Sequence, residues 1–300
     1  MFKGSFVALI TPFLEDGSLD IASFRRLVSW QVEQGTEGLV IAGSTGESAT
    51  LSSEELSTLL QVALEEAGGK IPILLGTGSN STKASIEKTL QAKRLGASGC
   101  LVVFPYYNKP SFEGCAMHVQ KIADCGLPTV LYHHPGRTGL LFSAEQLAAL
   151  CKHPQIVGLK DCSANLDLVQ EFVRLSPKPL FCGDDSLTIP FFAAGATGGI
   201  SVLGNLIPKP WSFFMKACSS NRLDLARLFY RSFAPLCKAL FLESNPICVK
   251  YAMSLAGLCQ PHLRLPLILP QEKSRHEVER AYSLFQQEAL PLLQEASTRS

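Results

Sequence analysis

The chain has 300 residues, 46% of them hydrophobic and 18% charged, which is enough for one large core and too apolar for a disordered or fibrous protein. A formal net charge of +1 offers no basic field to nucleic acid or anionic lipid, so the expected partner is a small molecule. No apolar run approaches the length of a membrane span, and the reading is a soluble, cytoplasmic protein with no membrane or nucleic-acid partner.

The first apolar run, Ser5–Ile10, is too short for the core of a secretory signal, meets Pro12, and reads as a strand. Ile21, Phe24, Leu27 and Val28 then recur at helical spacing. The alternation continues to the eighth strand. Strand-like runs stand at Gly38–Ala42, Ile71–Gly76, Gly99–Phe104, Thr129–Tyr132, Ile156–Lys160, Pro179–Cys182 and Gly199–Leu203, with helical segments such as Leu56, Leu59, Leu60 and Ala63 between them. The runs are continuous rather than alternating, as parallel strands buried on both faces require. Ser52 with Glu55 and Ser143 with Gln146 have the capping-box spacing of helix starts, and Gly35, Gly68 and Gly96 mark helix ends. About eight such units in roughly 200 residues match a (β/α)8 TIM barrel.

After Leu206 the strand signal stops, and the rest reads as helices broken by the proline-rich Leu263–Pro270. The expected division is a catalytic barrel over 1–209, its eighth helix extending to about 220, and a C-terminal helical appendage over 210–300. A doubly wound open sheet would need a glycine-rich phosphate turn after the first strand, and Thr11-Pro12-Phe13 is not one.

Ten cysteines show no C-x-x-C pair and no clustering with histidine, so they read as free buried thiols. His133 and His134 are adjacent in an extended segment and face opposite ways, so they cannot readily share a metal. Neither a metal nor a cofactor is expected.

In a parallel barrel the loops after the strands open on one face, and polar residues distant in sequence converge there. Those loops carry Gly43-Ser44-Thr45-Gly46-Glu47-Ser48, Pro105-Tyr106-Tyr107-Asn108 and Tyr132-His133-His134-Pro135-Gly136-Arg137-Thr138, and the sixth strand ends on Lys160. Most of the 27 Lys+Arg must be surface charges, but a lysine closing a buried strand is partly desolvated and can act as a neutral amine nucleophile. The Gly43–Gly46 turn reads equally as a carboxylate cradle or as a tight turn before Ser52. Tyr107 and Tyr132 read as core aromatics or as site phenols, and Arg137 as a solvated charge or as a fork for a carboxylate. Asp184 and Asp185 would repel a phosphate, and one of them reads as a helix N-cap.

Taken together, Gly43-Ser44-Thr45-Gly46-Glu47, Tyr106-Tyr107-Asn108-Lys109-Pro110, Tyr132-x-x-Pro135-Gly136-Arg137-Thr138 and Gly158-Leu159-Lys160-Asp161 resemble the signatures of the dihydrodipicolinate synthase and N-acetylneuraminate lyase family of class I aldolases. The likeness runs from Phe2-x-Gly4-Ser5 through Asn245-Pro246-Ile247-x-Val249-Lys250 to Leu263-Arg264-Leu265-Pro266. It implies that Lys160 forms an imine with pyruvate, that Ser44, Tyr107 and Tyr132 relay protons, and that Tyr107 reaches a neighbouring subunit's site. It assigns Thr45 to the pyruvate carboxylate, Ile200 to a backbone carbonyl near the pocket, and the assembly to a homotetramer.

Arg137 resembles the synthase branch, in which pyruvate condenses with L-aspartate 4-semialdehyde in diaminopimelate and lysine biosynthesis. Ser44 resembles the lyase pattern, and His133 replaces a familiar asparagine. The alternatives are cleavage of N-acetylneuraminate or a 2-keto-3-deoxy sugar acid, and a non-catalytic carboxylate-binding barrel. Ser48, Ala49, Asn80 and Tyr106 match the lysine-binding site of feedback-inhibited members, whereas Ser53, Leu56 and Ala84 stand where polar or charged ligands occur, so weak or absent lysine inhibition is expected.

Overall fold

Continuous Val, Ile and Leu runs can be buried on both faces only between other strands and a helical layer, and each of the eight runs forms a strand. These are β1 (Gly4–Ala8), β2 (Gly38–Ile41), β3 (Ile73–Gly76), β4 (Gly99–Val103), β5 (Thr129–His133), β6 (Ile156–Asp161), β7 (Leu180–Cys182) and β8 (Gly198–Ser201). They pair in parallel in chain order, and β8 returns to β1, closing the expected barrel. The structure, a computed structural model, describes residues 2–291, so the end of the expected appendage, 292–300, lies outside the described residues. The third strand starts at Ile73 rather than Ile71 because Pro72 has no N–H to give; its carbonyl accepts from Leu39 at 3.0 Å.

Alternate strand residues fill the barrel interior, where Phe6, Val40, Leu74, Leu101, Val130, Tyr132, Phe181 and Ile200 pack together. The other set faces the helices α1 (Ile21–Glu33), α2 (Ser53–Ala67), α3 (Thr82–Leu95), α4 (Phe112–Ala123), the single turn α5 (Pro135–Thr138), α6 (Ala144–Leu150), α7 (Leu166–Leu175), α8 (Thr188–Ala193) and α9 (Pro208–Ser219). Both capping boxes form, at Ser52 with Glu55 and Ser143 with Gln146. Gly96 ends α3 at φ +91°, a left-handed conformation that a side chain would strain.

Helix α9 opens on Pro208, whose missing N–H is harmless in a first turn. It packs on β1 and β8 and runs through the expected boundary at 209/210 to Ser219. Then come α10 (Leu223–Ala239), α11 (Ile247–Leu255) and α12 (Glu272–Leu284). Trp211 of α9 seals the junction, its ring 5.0 Å from that of Phe214 and 5.7 Å from that of Phe233 on α10. From the proline-rich break, Arg264 lies 4.4 Å from the Phe13 ring centroid and pairs with Glu55 on α2, which anchors the appendage to the barrel's upper loops. Among the described residues no helix is long and apolar enough to cross a membrane.

Candidate active site

The register of β5 and β6 sets Tyr132 against Lys160. Both side chains enter the barrel, and the Lys160 amine lies 4.4 Å from the Tyr132 ring centroid. Lys160 is 5% exposed, so its ammonium form is poorly hydrated. Burial therefore holds its pKa below the ordinary lysine value; Cys162 and Asp185 oppose the shift and Arg137 adds to it. The result is an amine with a larger neutral fraction than a surface lysine, which is the nucleophilic form. Burial also pushes the Tyr132 phenol well above its ordinary value, with Cys162 adding and Arg137 and a Ser44 hydrogen bond opposing, so Tyr132 keeps its proton as a donor.

Space beside the amine depends on Gly183 at the end of β7. A Cβ there would sit 2.2 Å from Cys162 Sγ and 2.6 Å from Lys160 Cε, so any side chain would displace the amine or the thiol. Cys162 stands 3.9 Å from the Tyr132 hydroxyl, and burial raises its thiol to about 11, which keeps it protonated.

The turn after β2 brings two hydroxyls to the same cavity. Its backbone is tight: the Gly46 N–H donates to the Gly43 carbonyl at 3.0 Å, and a Cβ on Gly46 would lie 3.0 Å from the Leu9 carbonyl oxygen. Ser44 and Thr45 line a cavity of about 350 Å³ together with Tyr132, Arg137 and Lys160. Thr45 is buried and accepts a hydrogen bond from the Asn245 side-chain amide at 2.9 Å. Arg137, exposed at the mouth on α5, donates from Nη2 to the Asn245 carbonyl at 3.0 Å. One appendage residue thus joins the hydroxyl cradle to the guanidinium.

The remaining expected site residues lie elsewhere. Tyr107 is 90% exposed at φ +74° and outside the cavity lining. Ile200 is buried in the barrel interior beside Tyr132 and does not line the cavity either. Asp184 takes the capping role, accepting from the Ser186 N–H at 3.0 Å. Asp185 is buried and accepts from the backbone N–H groups of Val202 (3.0 Å) and Leu203 (2.7 Å); burial pushes its carboxyl up to about 6.

Three lining features escaped sequence reasoning. Residues 241–245, between α10 and α11, form one wall, so the appendage builds the site as well as packing on the barrel. Asn245 belongs to the noted Asn-Pro motif, and its Oδ1 is buried without a partner. His134 lines the cavity with Nδ1 buried and unpartnered, and burial, reinforced by Arg137 and Lys160, lowers it to about 4, so the ring is neutral. Its signal was only its place just after a strand.

A desolvated amine, a protonated phenol, a hydroxyl cradle and a guanidinium at the mouth suit capture of a keto acid and its addition to a second small molecule that bears a carboxylate. The profile of the Dihydrodipicolinate synthetase family matches residues 1–284. The chain is 42% identical to the 4-hydroxy-tetrahydrodipicolinate synthase of Syntrophotalea carbinolica, over 95% of this chain and 100% of the relative. Among solved structures, the 4-hydroxy-tetrahydrodipicolinate synthase of Methylacidiphilum fumariolicum SolV superposes with a TM-score of 0.95 at 36% identity, covering 98% of this chain and 99% of that one. The chloride-inhibited dihydrodipicolinate synthase of Acinetobacter baumannii, complexed with pyruvate, gives 0.93 at 38%, covering 95% and 99%. With matches that run nearly end to end in sequence and in structure, the chain belongs to the dihydrodipicolinate synthetase family.

Proposed function

We propose that the neutral Lys160 amine attacks the keto carbon of pyruvate and, with loss of water, forms a cationic imine. The cation draws electrons from the adjacent methyl group, which gives up a proton, and the enamine attacks the aldehyde carbon of L-aspartate 4-semialdehyde, whose oxygen takes a proton. The amino group of the bound semialdehyde then displaces the Lys160 nitrogen from the imine carbon, closing the ring and freeing the amine. The activity is that of a 4-hydroxy-tetrahydrodipicolinate synthase, a class I aldolase-type lyase, the name that near-full-length relatives carry. It places the enzyme in diaminopimelate and lysine biosynthesis. The observation that carries the reading is the buried Lys160 amine over the Tyr132 ring.

In this reading Tyr132 supplies and recovers protons at the imine, with Ser44 as its hydrogen-bonding neighbour. Thr45 and its backbone amide hold the pyruvate carboxylate, and Arg137 takes the carboxylate of the aldehyde substrate through its planar fork. Tyr107 completes the relay from a neighbouring copy of the chain, and Ile200 contributes its carbonyl from beneath. The exposure and positive φ of Tyr107 support a side chain held for a partner, and a homotetramer is the proposed assembly. Sedimentation velocity of the wild type tests the assembly, and Tyr107→Phe tests the relay.

Borohydride reduction with pyruvate, followed by mass analysis of the peptide bearing Lys160, tests the mechanism. A pyruvyl adduct on Lys160 is expected. An unmodified Lys160, with turnover retained in Lys160→Ala, would overturn it. L-Lysine is proposed to inhibit weakly or not at all, because Leu56 and Ala84 offer no charge to an ammonium group. Strong inhibition by millimolar L-lysine in steady state would refute that part alone.

A further inference from the structure

Behind the Lys160–Tyr132 couple lies a second couple, one step further along the same two strands. His133 follows Tyr132 on β5, Asp161 follows Lys160 on β6, and the register opposes His133 to Asp161. Successive strand residues face opposite ways, so this pair points out of the barrel, into the helical layer. Both side chains are fully buried. His133 Nδ1 lies 2.6 Å from Asp161 Oδ1, and His133 Nε2 accepts from the Phe142 N–H at 3.4 Å. A neutral imidazole has one donor and one acceptor, and both are engaged. The other Asp161 oxygen accepts from the Ser163 N–H at 3.1 Å and its hydroxyl at 2.7 Å.

This pair stands where the backbone ladder runs out. The last rung between the strands is the Cys162 N–H donating to the His133 carbonyl at 2.8 Å, beyond which both chains leave the sheet. The His133 ring packs against Phe104 and Phe142, with centroids 6.2 and 6.1 Å away. Phe142 ends the segment that returns from Arg137. One imidazole therefore ties the strand of Tyr132 to the strand of Lys160 and to the return of the Arg137 loop.

We propose that His133 and Asp161 are positioning residues, a buried imidazole–carboxylate clasp that fixes the ends of β5 and β6 and so holds the Lys160 amine over the Tyr132 ring. This rests on Lys160 being the imine-forming amine. Neither Lys160 nor Tyr132 touches the clasp from the cavity side, so its influence passes through the backbone of the barrel wall. Displacement of a reacting group by about 1 Å can lower a rate by roughly 100-fold, which is the scale on which a frayed strand end acts.

The test compares variants by the rate of borohydride trapping at saturating pyruvate, a readout that needs no aldehyde. His133→Phe keeps a ring between Phe104 and Phe142 but leaves Asp161 Oδ1 buried and unpaired, so melting temperature and trapping rate should both fall. His133→Phe combined with Asp161→Leu removes the buried unpaired carboxylate but leaves the Phe142 N–H and the Ser163 donors without their acceptors, so stability should return in part. Its trapping rate should stay about 10- to 100-fold below wild type, because the clasp is still absent. His133→Asn, with a donor and an acceptor on a shorter side chain, should restore part of the rate. A double variant that traps at the wild-type rate, or a His133→Phe variant that loses only melting temperature, makes the pair a stability element and overturns the proposal. If neither phenylalanine variant folds, His133→Asn decides: a wild-type rate on a lowered melting temperature overturns the proposal, and a lowered rate sustains it. A wild-type enzyme left untrapped at Lys160 refutes the imine itself, and the clasp's role in it falls too.

Discussion

The Lys160 amine sits over the face of the Tyr132 ring, 4.4 Å from its centroid, because the two residues are register partners on neighbouring parallel strands. On the proposed mechanism the ring and the hydroxyl of Tyr132 have separable roles: the face lies against the amine, and the hydroxyl is the group proposed to move protons. Tyr132→Phe keeps the face and removes the hydroxyl. The expected outcome is a Lys160 adduct with pyruvate that still forms, while kcat falls by about 100-fold to 10,000-fold. Single-turnover trapping alongside steady-state assay checks this; a variant with wild-type kcat would remove Tyr132 from the relay.

Asp185 links pH to both chemistry and stability. Its charge is one of the influences that raise the Lys160 pKa against the dominant effect of burial. Asp185→Asn removes that influence, so the ammonium form loses support and the acid limb of pyruvate trapping should move to lower pH. The stability sign follows from Asp185 itself, which stands at about 6, above its ordinary value of 3.8. Its favourable contribution is present below about pH 4 and is lost as pH rises through about 6. An asparagine carbonyl can still accept from Val202 and Leu203 without burying a charge, so its stability relative to wild type should rise across that window, by at most about 3 kcal/mol. Denaturant titrations at pH 4 and pH 8 decide it; a variant that loses more stability at the higher pH would contradict the sign.

The barrel was legible because each strand is buried on both faces and announces itself as a continuous apolar run, even where Pro72 trims one by two residues. Ser44, Thr45, Tyr132, Arg137 and Lys160 could be gathered from sequence because a parallel barrel sends every strand-end loop to one face. Asn245 could not, since its contact with Thr45 spans 200 positions and depends on how the appendage folds back, which no local period encodes. The same holds for the clasp: the adjacency of His133 to Tyr132 was visible, but its pairing with Asp161 is a matter of strand register. Tyr107 was read from its place after the fourth strand and given its relay role by resemblance, and it stands 90% exposed outside the lining of its own chain's cavity.

Arg137 should govern the second substrate and leave the first alone. It sits at the mouth, fixed by its bond to the Asn245 carbonyl, while the amine lies deeper. A charge-assisted fork on a carboxylate contributes about 1.5–3 kcal/mol, and exposure at the mouth favours the lower end. Arg137→Ala should therefore lower kcat/KM for L-aspartate 4-semialdehyde by about 10-fold or more, with the KM for pyruvate within about twofold of wild type. Arg137→Lys keeps the charge without the planar fork and should recover only part of the loss. Equal losses for both substrates would show that the residue shapes the cavity rather than reading the aldehyde's carboxylate.

Glu47 and Lys250 form the strut on which the hydroxyl cradle rests. Glu47, held at φ +54°, follows Gly46 directly, and its Oε1 lies 2.6 Å from the amine of Lys250 on α11. The same amine stands 4.1 Å from the Phe13 ring centroid, and Glu47 Oε2 accepts from the Arg264 N–H at 3.0 Å. Both charged side chains are buried, so removing one strands the other in a poorly solvating interior. Lys250→Met should cost about 3–5 kcal/mol. The corresponding fall in melting temperature is about 10 °C or more. Pyruvate KM should rise as the cradle loosens, because Ser44 and Thr45 lie just before Glu47 on the same turn. Adding Glu47→Gln to Lys250→Met removes the stranded carboxylate and should recover most of the stability. Scanning calorimetry of the wild type, the single variant and the double variant gives the coupling directly. Equal melting temperatures for the two variants would mean that the stranded charge is not what destabilises the fold, and that Lys250 acts through its packing on Phe13 instead.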